Sequence, residues 1–429
     1  MIKWIKPYLG TASYNHVQIV LNESPQDWNI IDVRDLVDKS GNSPKKVKQY
    51  IDEAVDLIES GKKVVICCDY GMSRSNAVAS GILSKQEEIP LDDAVRTVLK
   101  STGETSIKIE MINIVRNAID RNDTRKSQSS GKSAVLITGA MGFIGSRLVK
   151  RLGELDEISI HIPNQLDLEN EAVQLDLFVK DHGIDSIIHL ANPRIYTINR
   201  SVGKSITMLT NVLNVCLENN IRLIYPSNWE VYSGYQSEKM YANEALPLLP
   251  KGTYGETKYL SELLIKHYIN YFNLNVTILR FSTIYGHGSD KPRFIYNFIN
   301  KAKKNEDIIT HMYTNGIPEL DLLHIEDAVE SLHLALQKNI SGDYNIGSGI
   351  AIATKDVAGL IVDLSNSKSS ISHVDIDGFT ANITMNTSKF NKMTGWQPSK
   401  CFNDWIKERV NKVTTNNTKA NYQWGENND

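Results

Sequence analysis

"AVLITGAMGFIGSRLVKRL", residues 134–152, opens as an apolar run and closes with helical spacing, with Gly139, Gly142 and Gly145 between the two. A buried strand that passes through glycines into a helix predicts an α/β domain with a parallel sheet. The first glycine allows a tight turn. The second lets backbone approach a pyrophosphate, and the third lets helix pack on strand. Phe143 and Ile144 head the helix at that turn, and Arg147 follows one turn later.

Outward from this stretch, alternating strands and helices continue to about 410, and 411–429 reads as a polar tail. Upstream, "IDRNDTRKSQSSGKS" (119–133) is polar and serine-rich, the composition of a linker. Residues 1–118 form a separate α/β unit, with strands at "WNIIDV" (28–33) and "KVVIC" (63–67) and a helix at "KKVKQYIDEAVDLIES" (45–60). The 429 residues suffice for two or three cores, and 41% apolar with 23% charged residues suits a soluble protein. A net charge of −3 argues against nucleic acid as a partner. No apolar run is long enough for a bilayer, and "MIKWIKPYLG" lacks a signal peptide's apolar core. Four cysteines make no disulfide framework, so a reducing, cytoplasmic setting is expected.

In the second half "YGETK" puts Tyr254 four residues before Lys258, on one helix face. An ammonium there stabilises a phenolate and suits the tyrosine to acid–base work. With "TGAMGFIG", "IIHLAN" (187–192), "VYSG" (231–234), "LRFSTIYGHG" (279–288) and "DLLHIEDAVESL" (321–332), these segments resemble the extended short-chain dehydrogenase/reductases, the NAD-dependent epimerase/dehydratase group. The resemblance spans about 133–405. It implies a Rossmann doubly wound parallel sheet with a small C-terminal substrate-binding portion. Tyr254 is then the acid–base and Lys258 the ligand of the nicotinamide ribose. Asp167 and Leu168, with Leu190 and Ala191, are expected beside the cofactor.

Three positions depart from that pattern. Asn228 stands where the family has a serine or threonine, and neighbouring Ser227 could substitute if the loop shifts. Trp229 and Glu230 stand where dehydratases carry aspartate then glutamate, and Leu320 where many relatives have an arginine for a diphosphate. "ISIHIPNQ" (158–165) lacks the acidic residue that holds ribose hydroxyls, while Arg147 suits a 2′-phosphate. The cofactor is therefore NAD or NADP, with a slight preference for NADP.

In the first half, "VVICCDYGMSRSNAV" (64–78) puts Cys68 at a strand end and Arg74 at a helix start. A strand-to-helix loop turns backbone N–H groups and a helix dipole toward one point, which favours an anion and a thiolate. Arg74 adds a fork for two phosphate oxygens, and Ser73 or Ser75 supplies a capping hydroxyl. The stretch resembles the Cys-x5-Arg signature of protein tyrosine phosphatases in its dual-specificity form, as do "PYLGTASYN" and "LDDAVRTVLKS" (91–101). The resemblance covers about 1–118. It implies a phosphocysteine on Cys68, transition-state binding by Arg74, a thiolate-assisting hydroxyl at Ser75 and an aspartic acid on a separate loop. Of Asp32, Asp35 and Asp38, Asp38 is the choice and Asp35 second. Cys67 occupies the family's usual histidine position, where a vicinal thiol offers an oxidative trap for Cys68.

The two halves together imply a bifunctional enzyme, a phosphatase joined to an NAD(P)-dependent reductase or epimerase. Its substrate would be a phosphorylated sugar or polyol, or a nucleotide-sugar-like compound. The alternative is a phosphoprotein phosphatase regulated by a silent dinucleotide sensor. A homodimer is expected from the second half's relatives. His287 and His324 read as structural, with a place in the substrate pocket as the alternative, and no metal is expected.

Overall fold

The structure, a computed structural model, describes residues 1–415 except 24–26, 40, 106, 120–131, 164–165, 194–197, 238 and 290. Most of the expected linker and the end of the expected tail lie outside the described residues. By their contacts the residues divide into two units. The first comprises Met1–Leu136, Pro163–Asp185 and Thr207–Ile221, and the second Ile137–Ile162, Ser186–Ile206 and the chain from Arg222.

The chain begins with β1 (Lys3–Lys6), β2 (Leu9–Ser13), α1 (Tyr14–Glu23), β3 (Trp28–Asp32), α2 (Pro44–Glu59), β4 (Lys63–Cys68), α3 (Ser73–Gln86), α4 (Leu91–Thr102) and α5 (Ile109–Ile119). The sheet order is β1-β2-β4-β3, with β4 parallel to both its neighbours. A strand covered on both faces reads as a continuous apolar run, which "VVICC" is. Its side chains alternate: Val64, Ile66 and Cys68 join the core that includes the α2 residues Val47 and Ile51, while Val65 and Cys67 face Ala12, Val17 and Trp28. Helix α2 starts with a proline, which lacks an N–H that would have no partner there. It buries Val47, Ile51, Ala54, Val55 and Ile58 at helical spacing.

The later elements are β5 (Ser133–Thr138), α6 (Phe143–Leu152), β6 (Ile158–His161), α7 (Ala172–Asp181), β7 (Ser186–His189), α8 (Asn199–Glu218), β8 (Arg222–Asn228), β9 (Met240–Ala242), α9 (Thr253–Phe272) and β10 (Val276–Phe281). There follow β11 (Thr283–Tyr285), α10 (Arg293–Lys304), β12 (Ile308–Tyr313), β13 (Glu319–His324), α11 (Ile325–Gln337) and β14 (Gly342–Ile346). The chain closes with β15 (Ala351–Ala353), α12 (Thr354–Leu364), β16 (Ile371–Ile376), β17 (Ile383–Met385), α13 (Ser388–Thr394) and α14 (Phe402–Thr415). Because α14 runs on to Thr415, the expected start of the tail at 411 is too early.

Six strands make the main sheet, in the order β14-β10-β8-β7-β5-β6. The chain moves from β5 to one edge and then returns to build the other side from β7. Such a reversal leaves a crevice at the strands' carboxyl ends, where ligands bind in α/β folds. Three small sheets, β11-β13-β15, β12-β16 and β17-β9, form the remainder. Tyr285, Phe298, Ile308, Val357, Phe402 and Trp405 belong to a core cluster in this part.

Candidate functional site

In the N-terminal sheet β4 delivers Cys68 to a loop that runs into α3. Its Sγ accepts the Gly71 N–H at 3.2 Å and shares a hydrogen bond with Ser75 Oγ at 3.4 Å. Gly71 has φ +72°, and a Cβ there would sit 2.4 Å from the Ala12 carbonyl carbon, so the loop folds tightly on the end of β2. The 14-residue α3 brings its dipole to the same point. The expected serine cap is not formed. Met72 is the cap position with no side-chain bond, Ser73 Oγ accepts the Lys108 N–H, and Ser75 serves the sulfur instead.

Arg74 Nη1 donates to the carbonyls of Arg34 at 3.0 Å and Leu36 at 2.9 Å, and Nη2 pairs with the Asp69 carboxylate. These bonds use three of the fork's five N–H groups and leave two for an oxyanion. Burial opposes the Arg74 charge, and Asp69, Cys68 and Asp38 outweigh it.

The three candidate acids separate. Asp32 is clasped by Arg34. Asp35 accepts from Tyr50 Oη at 2.7 Å and pairs with Lys46 at 2.6 Å. Those partners overcome its burial and hold its carboxyl below the usual range. Asp38 Oδ2 lies 3.2 Å from Lys108 Nζ, while its Oδ1 is buried with no hydrogen-bond partner among the described residues. Cys67 does not fit the part of oxidative trap. It points to the opposite face of the sheet from Cys68, and burial, then Asp32, pushes its thiol up to about 12.

In the C-terminal sheet the glycine turn is sterically closed to larger residues. Gly139 has φ +70°, and a Cβ there would lie 2.8 Å from the Leu190 carbonyl carbon and 2.7 Å from Ala191 N. At Gly145 it would lie 2.3 Å from Gly139 O. Gly142 caps α6, whose first residues are Phe143 and Ile144. This is a cradle that side chains would fill, and it fits a pyrophosphate at a helix N-terminus.

Helix α9 carries Tyr254 and Lys258. Lys258 is 4% exposed, and its Nζ donates to Tyr225 Oη at 3.2 Å and Pro226 O at 2.9 Å. The ammonium lies 5.8 Å from the Tyr254 ring centroid. Burial lowers its proton affinity, with Tyr254 and Glu262 pulling the other way. The first turn of α9 packs on the turn that follows β8. At Gly255 a Cβ would lie 2.6 Å from Glu230 O. Asn228 Oδ1 caps that turn by accepting from Glu230 N at 2.9 Å. Ser227 does not substitute for the family hydroxyl, because its Oγ donates to Glu262 Oε1 at 2.5 Å within a buried pair with Arg280. Burial pushes the Glu230 carboxyl up.

Residues 135–347 match the NAD dependent epimerase/dehydratase family. The C-terminal half of the chain carries an NAD-dependent epimerase/dehydratase domain. An uncharacterized UDP-glucose epimerase of Bacillus subtilis, YtcB, is 27% identical over 311 residues, covering 64% of this chain and 96% of its own. The UDP-glucose 4-epimerase of Thermus thermophilus, solved with NAD, superposes with a TM-score of 0.56 at 19% identity, over 66% of this chain and 99% of its own. RMD of Pseudomonas aeruginosa, solved with NADPH, gives 0.56 at 17% identity, over 66% and 99%.

Within the epimerase/dehydratase domain, Arg147 does not support a preference for NADP. Its guanidinium donates to the carbonyls of His287 and Phe143 and lies 3.8 Å from Glu326. Asp167, in the turn after β6, accepts from Glu169 N and Asn170 Nδ2, and the neighbouring Leu168 is buried. Leu320 pairs with Ile352 across β13 and β15 and packs on the core. His324 Nδ1 caps α11, a structural role. His287 Nε2 stands 3.8 Å from Glu408.

The reading of motifs missed three buried or partnered groups: His189, Tyr225 and Lys108. His189 Nδ1 bonds Thr138 Oγ1 at 2.8 Å, and its ring stacks on Tyr225 at 6.2 Å. The histidine of "IIHLAN" was the available signal. Tyr225 and Lys108 had none. Among the described residues there is no cluster of metal-ligating side chains and no helix long and apolar enough to cross a membrane.

Proposed function

We propose that the chain is a bifunctional enzyme: a cysteine-dependent phosphatase joined to an NAD(P)-dependent enzyme of sugars or nucleotide sugars. In the first half the Cys68 sulfur attacks phosphorus, the bond from phosphorus to the ester oxygen breaks, and Asp38 gives that oxygen a proton. Arg74 grips the equatorial oxygens through its two remaining N–H groups, and Ser75 eases departure of the sulfur when water hydrolyses the phosphocysteine. The observation that carries this reading is the Gly71 N–H aimed at Sγ beside the start of α3. Purified protein should release phenol from a simple aryl phosphate, and Cys68→Ser should abolish the release. Hydrolysis that survives the substitution would remove the assignment.

In the second half the glycine turn would hold the pyrophosphate, and the third Lys258 hydrogen would reach a ribose hydroxyl. Tyr254 would move a proton at the substrate's carbinol oxygen. The dinucleotide supplies a hydride acceptor and donor when bound. Relatives described as an uncharacterized UDP-glucose epimerase and a putative UDP-glucose 4-epimerase support a nucleotide sugar or a related sugar as substrate.

A second reading, a silent dinucleotide sensor regulating a phosphatase that acts on phosphoprotein, is favoured by the strand end. There Ser227 is bound to Glu262, and Asn228 offers no hydroxyl. The readings part on Tyr254→Phe. An enzyme loses hydride exchange, whereas a sensor shows none before or after.

A further inference from the structure

We infer that Lys108 is a positioning residue for the acid Asp38, an inference that rests on the phosphatase reading. Its ammonium takes the acid from two sides, donating to the Asp38 carbonyl at 2.9 Å and lying 3.2 Å from carboxylate Oδ2. The residue is itself fixed. Its flanking Ile107 and Ile109 are buried, and its N–H donates to Ser73 Oγ at 3.3 Å, the first residue of α3. Lys108 thus ties the acid loop to the helix that begins beside the nucleophile.

Asn42 ties Val37 and Lys39 to the far end of the loop. Its amide accepts from Val37 N at 2.8 Å and donates to Val37 O at 2.7 Å and Lys39 O at 3.2 Å. Arg74 holds the near end through the Arg34 and Leu36 carbonyls. The result is that Oδ2 is taken and Oδ1 is not. Oδ1 is buried and has no partner among the described residues, which suits it to meet a leaving-group oxygen. As the proton passes from Asp38 to that oxygen, negative charge grows on the carboxylate, and an adjacent ammonium stabilises it.

General-acid help matters most when the leaving group is a poor one, so the test compares two esters with the full-length protein. Phenyl phosphate has a poor leaving group and 4-nitrophenyl phosphate a good one. Lys108→Met should lower the ratio of kcat/KM for the poor ester to that for the good one by about tenfold, a part of the roughly 10²–10⁴-fold that a general acid itself contributes. Lys108→Arg should restore most of the ratio. Lys108→Met should add nothing to Asp38→Asn. Equal loss on both esters would mean a structural or phosphate-binding role, and an unchanged ratio would mean none; either overturns the inference while leaving the phosphatase standing. A wild-type protein inert to both esters would overturn the phosphatase reading itself.

Discussion

At the scale of single residues, His189 shows how burial fixes a protonation state. Thr138 Oγ1 accepts from Ala191 N at 3.2 Å and shares a further hydrogen bond with His189 Nδ1 at 2.8 Å, so the ring is held by a neutral partner with no carboxylate to favour its charged form. Burial, then the Lys258 charge, pulls this imidazole down to about 3. The folded chain therefore refuses a proton that the unfolded chain accepts below about pH 6.5. Stability that is complete above that pH is lost as pH falls toward 3, at no more than about 1.4 kcal/mol per pH unit from this one group. Urea unfolding between pH 7 and 5 should show a shallower decline in His189→Asn than in wild type. An identical slope would show that other groups set it.

At the scale of elements, α9 aligns Tyr254, Lys258 and Glu262 at four-residue steps along one face. Glu262 anchors that face by pairing with Arg280 at 2.7 Å, both fully buried, and by accepting from Ser227. Removing one partner of a buried pair strands the other's charge, at about 3–5 kcal/mol. Asp343, 2.9 Å from Arg280, makes the lower end the expectation for Glu262→Gln. Urea unfolding of the variant checks it, and a loss below about 1 kcal/mol would count against the pair as an anchor.

What the sequence disclosed follows the same division. The glycine turn and the tyrosine–lysine step are local in the chain, so their spacing alone exposed them. Tyr225 and His189 meet Lys258 only because β7, β8 and α9 adopt one register and packing, which no short window contains. The sequence ranks Asp38 ahead of Asp35 but does not hold the contacts that distinguish them, which come from Lys46, Tyr50 and the distant Lys108. The cap at Ser73 and the trap at Cys67 were misread for one reason. Residue type proposes a partner, and side-chain direction decides whether it is met.

At the scale of the whole molecule, the two proposed sites share a chain but no residues. Cys68→Ser should leave intact the stabilisation by NAD(H) or NADP(H), about 2.7 kcal/mol at a hundred times Kd. Lys258→Met should weaken that stabilisation and leave aryl phosphate hydrolysis in place. Thermal melting with each dinucleotide, beside a phosphate-release assay, checks both. Loss of both properties in either variant would show that the halves depend on each other. The strand that places two sulfurs on opposite sides of one sheet has a further effect. Once peroxide turns Cys68 into a sulfenic acid, its sequence neighbour cannot close a ring over the damage, so rescue must come from a diffusible reductant. Protein treated with peroxide and then with reduced glutathione should accordingly carry glutathione at that position, the sulfenic oxygen leaving as water, rather than an intrachain 67–68 crosslink, when its peptides are weighed.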